Sequence, residues 1–209
     1  MIQERTLKMT APTHTVLEGG GFPVRRPSAM GTLMSPFLLL DEMGPVHWDP
    51  GQAIGAPAHP HRGFETVTYM IQGAMQHQDS AGNKGDLNPG DVQWMTAGKG
   101  VQHCEMFPLL NQEKENPLEM FQIWLNLPRK SKMVEPHFKM LWNEDIPVVT
   151  KTDDNQNTTK IKVVAGKFEN TMAPNPAPNS WAAESKNHVA VFTIELAPNA
   201  AFVLPLASA

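Results

Sequence analysis

The chain has 209 residues, long enough for one large domain or two small ones with a buried core. Apolar residues make up 41% and charged residues 18%, a globular balance rather than a disordered one. The net charge is −4 with no basic run, so direct nucleic-acid binding has no electrostatic support. Apolar runs such as Phe37 to Leu40 are far too short to cross a bilayer, so no membrane partner is expected. One cysteine, Cys104, rules out an internal disulfide, and residues 1–21 contain no apolar leader. Both features fit a protein of the cytoplasm, or of the nucleus in a eukaryote.

Nineteen prolines argue for many short elements joined by tight turns, because proline interrupts helices and central strands alike. No segment carries a long 3.6-residue apolar period, and short strand patterns recur instead. The run FETVTYMI predicts a strand over 64–71 that ends at Gly73. GAMQHQDS (73–80) leads into the turn AGNKGD, and VQWMT (92–96) follows the turn NPGD. AGKG (97–100) turns the chain into VQHCEMF (101–107), and MFQIWLNL (120–127) closes this half. Residues 128–147, rich in charge and proline, read as a crossing linker. A second β region follows: strands over 147–151, 160–168 and 188–196, an irregular loop at 173–180, and a last strand from Ala201 onward. The pattern predicts an all-β antiparallel sandwich or barrel, and 60 residues from Thr150 to Ala209 are thin for a second one.

Two close pairs of polar side chains stand out. His59 and His61 lie at i and i+2 of an extended segment, so both point to one side. His103 and Glu105 are spaced alike and share a face with Val101 and Phe107, which turns them inward. A carboxylate buried among apolar neighbours needs compensation, and a metal ion provides it. Three imidazoles and one carboxylate suit a borderline divalent ion such as iron and leave coordination positions open. Taken singly, a His-x-His pair is more often a surface feature; two such pairs, each heading a strand, favour the metal. Cys104, between two ligands, should face the other way.

The stretch HPHRGFETVTYMIQGAMQHQDSAGNKGDLNPGDVQWMTAGKGVQHCEMF (59–107), flanked by SPFLLLDEMGP and FQIWLNLP, resembles the pirin family of the cupin superfamily. The resemblance implies a bicupin of two double-stranded β-helix (jelly-roll) barrels, of which the second is incomplete here. It divides the chain into a metal-binding domain over 1–130 and a linker with a partial second domain over 131–209. It also implies that His59, His61, His103 and Glu105 hold Fe(II), with Mn, Co, Ni, Cu or Zn as alternatives. The implied activity is a quercetin 2,3-dioxygenase type of cleavage of a phenolic or flavonoid substrate, with Glu105 as general base. The alternative is an iron-dependent, redox-sensing co-regulator of transcription that acts on a protein partner without turnover. A third possibility is an inactive relative.

Other residues are weighed against plainer roles. The general cupin motif puts its carboxylate at Glu65, a rival to Glu105; a salt bridge or the orientation of a ligand is its expected use. His77 and Asp79 read as polar strand-end residues beside a turn. His47 and Trp48 fall in a predicted loop, and Lys99 in a solvated turn. Phe121, Ile123 and Leu125 share a strand face expected to line the barrel interior. Trp94 and Met95 read as core or cavity lining, and His14, His137 and His188 as surface or interface residues.

Overall fold

A computed structural model describes residues 10–27, 34–52 and 54–205. Residues 1–9 of the N-terminal stretch and residues 206–209 of the last predicted strand lie outside the described residues. The strands are, in chain order, β1 (Thr13–Glu18), β2 (Phe22–Pro27), β3 (Phe37–Trp48), β4 (Ile54–His61), β5 (Phe64–Gln72), β6 (Met75–Asp79), β7 (Lys84–Leu87) and β8 (Val92–Thr96). They continue as β9 (Val101–Phe107), β10 (Asn116–Asn126), β11 (His137–Leu141), β12 (Val148–Thr152), β13 (Thr158–Ala165), β14 (Lys167–Phe168), β15 (Thr171–Met172) and β16 (Val191–Leu196). Only short 3-10 turns accompany them among the described residues, and no helix there is long and apolar enough to cross a membrane.

Two antiparallel sheets carry the first two thirds of the chain. A seven-stranded sheet runs β1-β2-β3-β10-β5-β8-β11, and a four-stranded sheet runs β4-β9-β6-β7. One core cluster joins them: Phe22, Val24, Met43, Met70, Leu118 and Met120 from the larger sheet meet Ala56, Met75, Leu87 and Phe107 from the smaller. The two sheets therefore pack face to face as a jelly-roll sandwich. In β6 and β9 buried residues alternate with exposed ones, as expected for strands with one solvated face.

The larger sheet is covered on its second face too. Val67, Val92, Trp94, Leu125 and Leu141 pack there against Ile146, Val164, Ala165, Ala177 and Val189 from the C-terminal third. Burial on both sides explains why β8 has no exposed residue at all. It also corrects one expectation. Ile123 and Leu125 belong to this outer core, whereas Leu118, Met120, Gln122 and Trp124 turn toward the interior of the sandwich. Met95 turns inward with Val101, while its neighbour Trp94 faces outward.

Strands β5, β8, β9, β10, β12, β13 and β16 fall close to their predicted places. The segment read as a crossing linker differs. Its residues His137–Leu141 form β11, which pairs with β8 and ends the seven-stranded sheet. His47 and Trp48, expected in a loop, finish β3. The C-terminal third forms a three-stranded sheet, β12-β13-β16, and a two-stranded one, β14-β15, short of a barrel among the described residues. Residues 201–205 form no strand, contrary to expectation.

Candidate metal centre

The site is built where β4 and β9 run side by side. A register shift between Ala56 and His59 sets His59 opposite His103 and His61 opposite Val101. Both strands meet their neighbours through tight glycine turns. Gly63, at φ +77°, follows His61, and Gly98, at φ +50°, precedes the strand that carries His103. The Gly63 N–H donates to the Gly98 carbonyl at 2.8 Å, so the two turns are tied together. Gly98 has no room for a side chain, because a Cβ there would collide with the Val134 carbonyl oxygen.

This framework brings three imidazoles together. The His59 ring lies 4.8 Å from His61 and 4.4 Å from His103 between centroids, and His61 lies 4.8 Å from His103. One nitrogen from each falls within 4.8 Å of the others. His59 is half-buried; His61 and His103 are buried. The Nδ1–H of His59 donates to the Pro57 carbonyl at 2.8 Å, which leaves its Nε2 lone pair free. The Nε2 atoms of His61 and His103 are buried and have no hydrogen-bond partner in the protein.

Burial keeps the His61 and His103 rings neutral. Burial, with His59 nearby, holds His61 down to about 4. Burial and the surrounding imidazoles hold His103 down to about 2. Neutral imidazoles with bare, buried Nε2 atoms suit a cation. Each unpaired polar atom costs roughly 1–3 kcal/mol, and a metal bond removes that cost. The residues present therefore fit a divalent transition metal.

Glu105 lies on the same inward face of β9 as His103, and Cys104 sits half-exposed between them as predicted. The Glu105 carboxylate is not within the group of mutually close donor atoms. Its Oε1 instead accepts from the Gln122 Nε2–H at 3.1 Å. Gln122 also donates to Thr68 Oγ1 and accepts from the Trp124 Nε1–H at 3.0 Å. Burial pushes the Glu105 carboxyl up to about 7, opposed by the Gln122 hydrogen bond. Phe64 and Trp124 stand edge-on to His61, with centroids 5.1 and 5.4 Å away, and lean on each other at 4.5 Å. They give the centre an aromatic wall. Gln122 and Trp124 were missed in sequence, although a glutamine inside an otherwise apolar strand is a readable signal.

Glu65 lies elsewhere. Its side chain is on the outer face of the larger sheet, where Thr96 Oγ1 donates to Oε1 at 2.7 Å and Ser180 Oγ to Oε2 at 2.5 Å. It makes neither the expected salt bridge nor a ligand contact; it ties the loop at 173–180 to β5. Lys99 behaves as a solvated turn residue, paired with exposed Glu135 at 2.5 Å. Asp79 does organise a turn, accepting from the backbone N–H groups of Ala81 and Asn83. His77, expected at a strand end beside the turn, sits in the middle of β6; its side chain is 0% exposed and lies against His103.

Comparison with known proteins agrees with this geometry. The family model described as Pirin matches residues 22–125. A pirin-like protein of Solanum lycopersicum is 48% identical over 152 residues, 72% of this chain and 47% of that protein. Pirin of Homo sapiens is 46% identical over 137 residues, 64% of this chain and 44% of that protein. The chain thus spans about half the length of the curated relatives it matches. Among solved structures, a quercetin 2,3-dioxygenase from Acinetobacter baumannii superposes with a TM-score of 0.71 at 38% identity, over 80% of this chain and 58% of that one. On its β-sandwich and on residues 22–125, the chain belongs to the pirin family.

Proposed function

We propose that the protein is a metal-dependent dioxygenase of flavonols such as quercetin, with His59, His61, His103 and Glu105 as metal ligands. The observation that carries this reading is the convergence of three imidazoles, two of them with buried Nε2 atoms that no protein group satisfies. Fe(II) is the ion of choice for dioxygen chemistry; when bound, it supplies Lewis acidity toward a phenolic hydroxyl and open coordination positions.

The chain's own residues supply the rest. His59 enters with its proton already committed to the Pro57 carbonyl, so no tautomer change is needed on binding. Glu105 has two uses. As a carboxylate it completes the ligand set, and it also serves as the base for the proton of a substrate hydroxyl. Gln122 holds Oε1 and so decides which oxygen stays available. Phe64 and Trp124 offer flat apolar surface to an aromatic substrate. An open depression of about 250 Å³ beside His61, lined by Pro60, Arg62, Ser80 and Gln102, gives a route of approach. The relative from Acinetobacter baumannii that bears the dioxygenase name supports the substrate class.

Incubation of iron-loaded protein with quercetin under air should consume the flavonol and release carbon monoxide, and His61→Ala should abolish both. Equal turnover by the variant would remove His61 from the chemistry. Iron bound tightly without any turnover would instead favour a redox-sensing protein that works through a protein partner.

A further inference from the structure

The geometry points to His77 as a positioning residue of the metal centre: it fixes the tautomer of His103 so that a bare Nε2 faces the site. This inference rests on the metal reading above.

The argument starts at the turn after β6. Asp79 Oδ1 accepts from the N–H groups of Ala81 and Asn83 at 2.9 and 3.0 Å, and Oδ2 accepts from the Asn83 side-chain amide at 2.9 Å. These partners are donors only, so they hold Asp79 as an ionised acceptor. Its Oδ2 lies 3.2 Å from His77 Nε2 and therefore takes the proton of that nitrogen. The side chains of His77 and Asp79 are 0% and 1% exposed, so no water competes for the contact. A neutral His77 with its proton on Nε2 has a lone pair on Nδ1.

That lone pair has company. His103 Nδ1 lies 3.2 Å away, and the Gln93 side-chain amide approaches the same nitrogen at 3.2 Å. Two imidazole nitrogens at this separation must share one proton. Since His77 Nδ1 is the acceptor, the proton belongs to His103 Nδ1. His103 then keeps its lone pair on Nε2, the buried atom without a protein partner. The opposite tautomer would put a hydrogen where a metal must bind.

The ring plane of His77 is held as well. Phe138 of β11 stacks on it with centroids 4.7 Å apart and planes 21° from parallel. Register does the remainder: β6 pairs with β9 so that His77 faces Glu105 and Asp79 faces His103. A chain of contacts thus runs from the turn through Asp79 and His77 to the ligand His103.

The test uses the full chain and zinc as probe. His77→Phe keeps a ring on Phe138 but removes both nitrogens; His77→Gln offers a carbonyl oxygen to the His103 Nδ1–H. Competition against a chelator should show zinc affinity falling about 10- to 100-fold in His77→Phe and staying within a few-fold of the parent in His77→Gln. Imidazole ¹⁵N NMR of the metal-free parent should show His103 protonated on Nδ1, and this reading needs no variant to fold. Parent-like zinc affinity in His77→Phe, or His103 protonated on Nε2 in the metal-free parent, overturns the relay. A parent that binds no zinc overturns the metal reading and the relay with it.

Discussion

Glu105 is the residue at which stability and metal affinity conflict. Burial lifts its folded pKa from 4.5 to about 7. A raised carboxyl pKa favours the fold at pH below 4.5, and that contribution is lost as pH rises through 7. Glu105→Gln imitates the protonated form. The metal-free variant should therefore be more stable than the metal-free parent above pH 7, by up to about 3 kcal/mol, with the difference vanishing toward pH 4.5. Urea melts across that range would measure it. The same variant should bind metal more weakly, since a neutral amide is a poorer ligand than a carboxylate. The two buried imidazoles act with the opposite sign. His61 and His103 have depressed pKa values, so the stability they contribute is present above pH 6.5 and is lost as pH falls toward 4. Metal-free protein should lose up to about 1.4 kcal/mol per pH unit for each of these rings over that acidic window. In the Glu105→Gln background, which lacks the opposing carboxyl contribution, a melt midpoint indifferent to pH between 6.5 and 4 would contradict their buried, neutral state.

At the scale of elements, the centre depends on where two turns end. Gly98 at φ +50° is packed beneath Val134, and its carbonyl holds the Gly63 N–H. Gly98→Ala should cost about 2 kcal/mol or more, since an L side chain resists positive φ and has no space there. Metal affinity should fall with it, because β4 and β9 would lose their common anchor; calorimetry and zinc titration on one sample would test both effects. Much of this layout is legible in sequence. Turn signals placed β8 and β9 residue for residue, and period-2 alternation sent His103 and Glu105 inward. Other features were not legible, for physical reasons. In β10, alternation separates Gln122 and Trp124 from Ile123 and Leu125, yet it cannot say which set faces the interior when both faces of the sheet are covered. β11 hid within a stretch rich in proline and charge, where its pairing with β8 rather than its own composition makes it a strand. The contact of His77 with His103 depends on cross-strand register, which no local pattern encodes.

For the whole molecule, the C-terminal third acts as a cover for the larger sheet. Its residues Ile146, Val164, Ala165, Ala177 and Val189 complete the outer core, and Ser180 is pinned to Glu65. Leu125→Ala should therefore cost about 2–5 kcal/mol by leaving a cavity in that core. Ser180→Ala should cost about 1.5–3 kcal/mol, because a hydrogen bond to a buried carboxylate is lost. Hydrogen exchange should show the loosening in β13 and β16, while zinc affinity stays at the parent's value, since neither side chain touches the metal centre. A drop in affinity would mean that the outer core also sets the geometry of β4 and β9.

The central claim is that three imidazoles from β4 and β9 converge on one cation. Anaerobic equilibrium dialysis against Fe(II), with metal content read by elemental analysis, tests it most directly. The parent should retain one ion per chain, and His61→Ala and His103→Ala should each retain essentially none at the same free iron. An iron-free parent, or variants that retain as much iron as the parent, would contradict it.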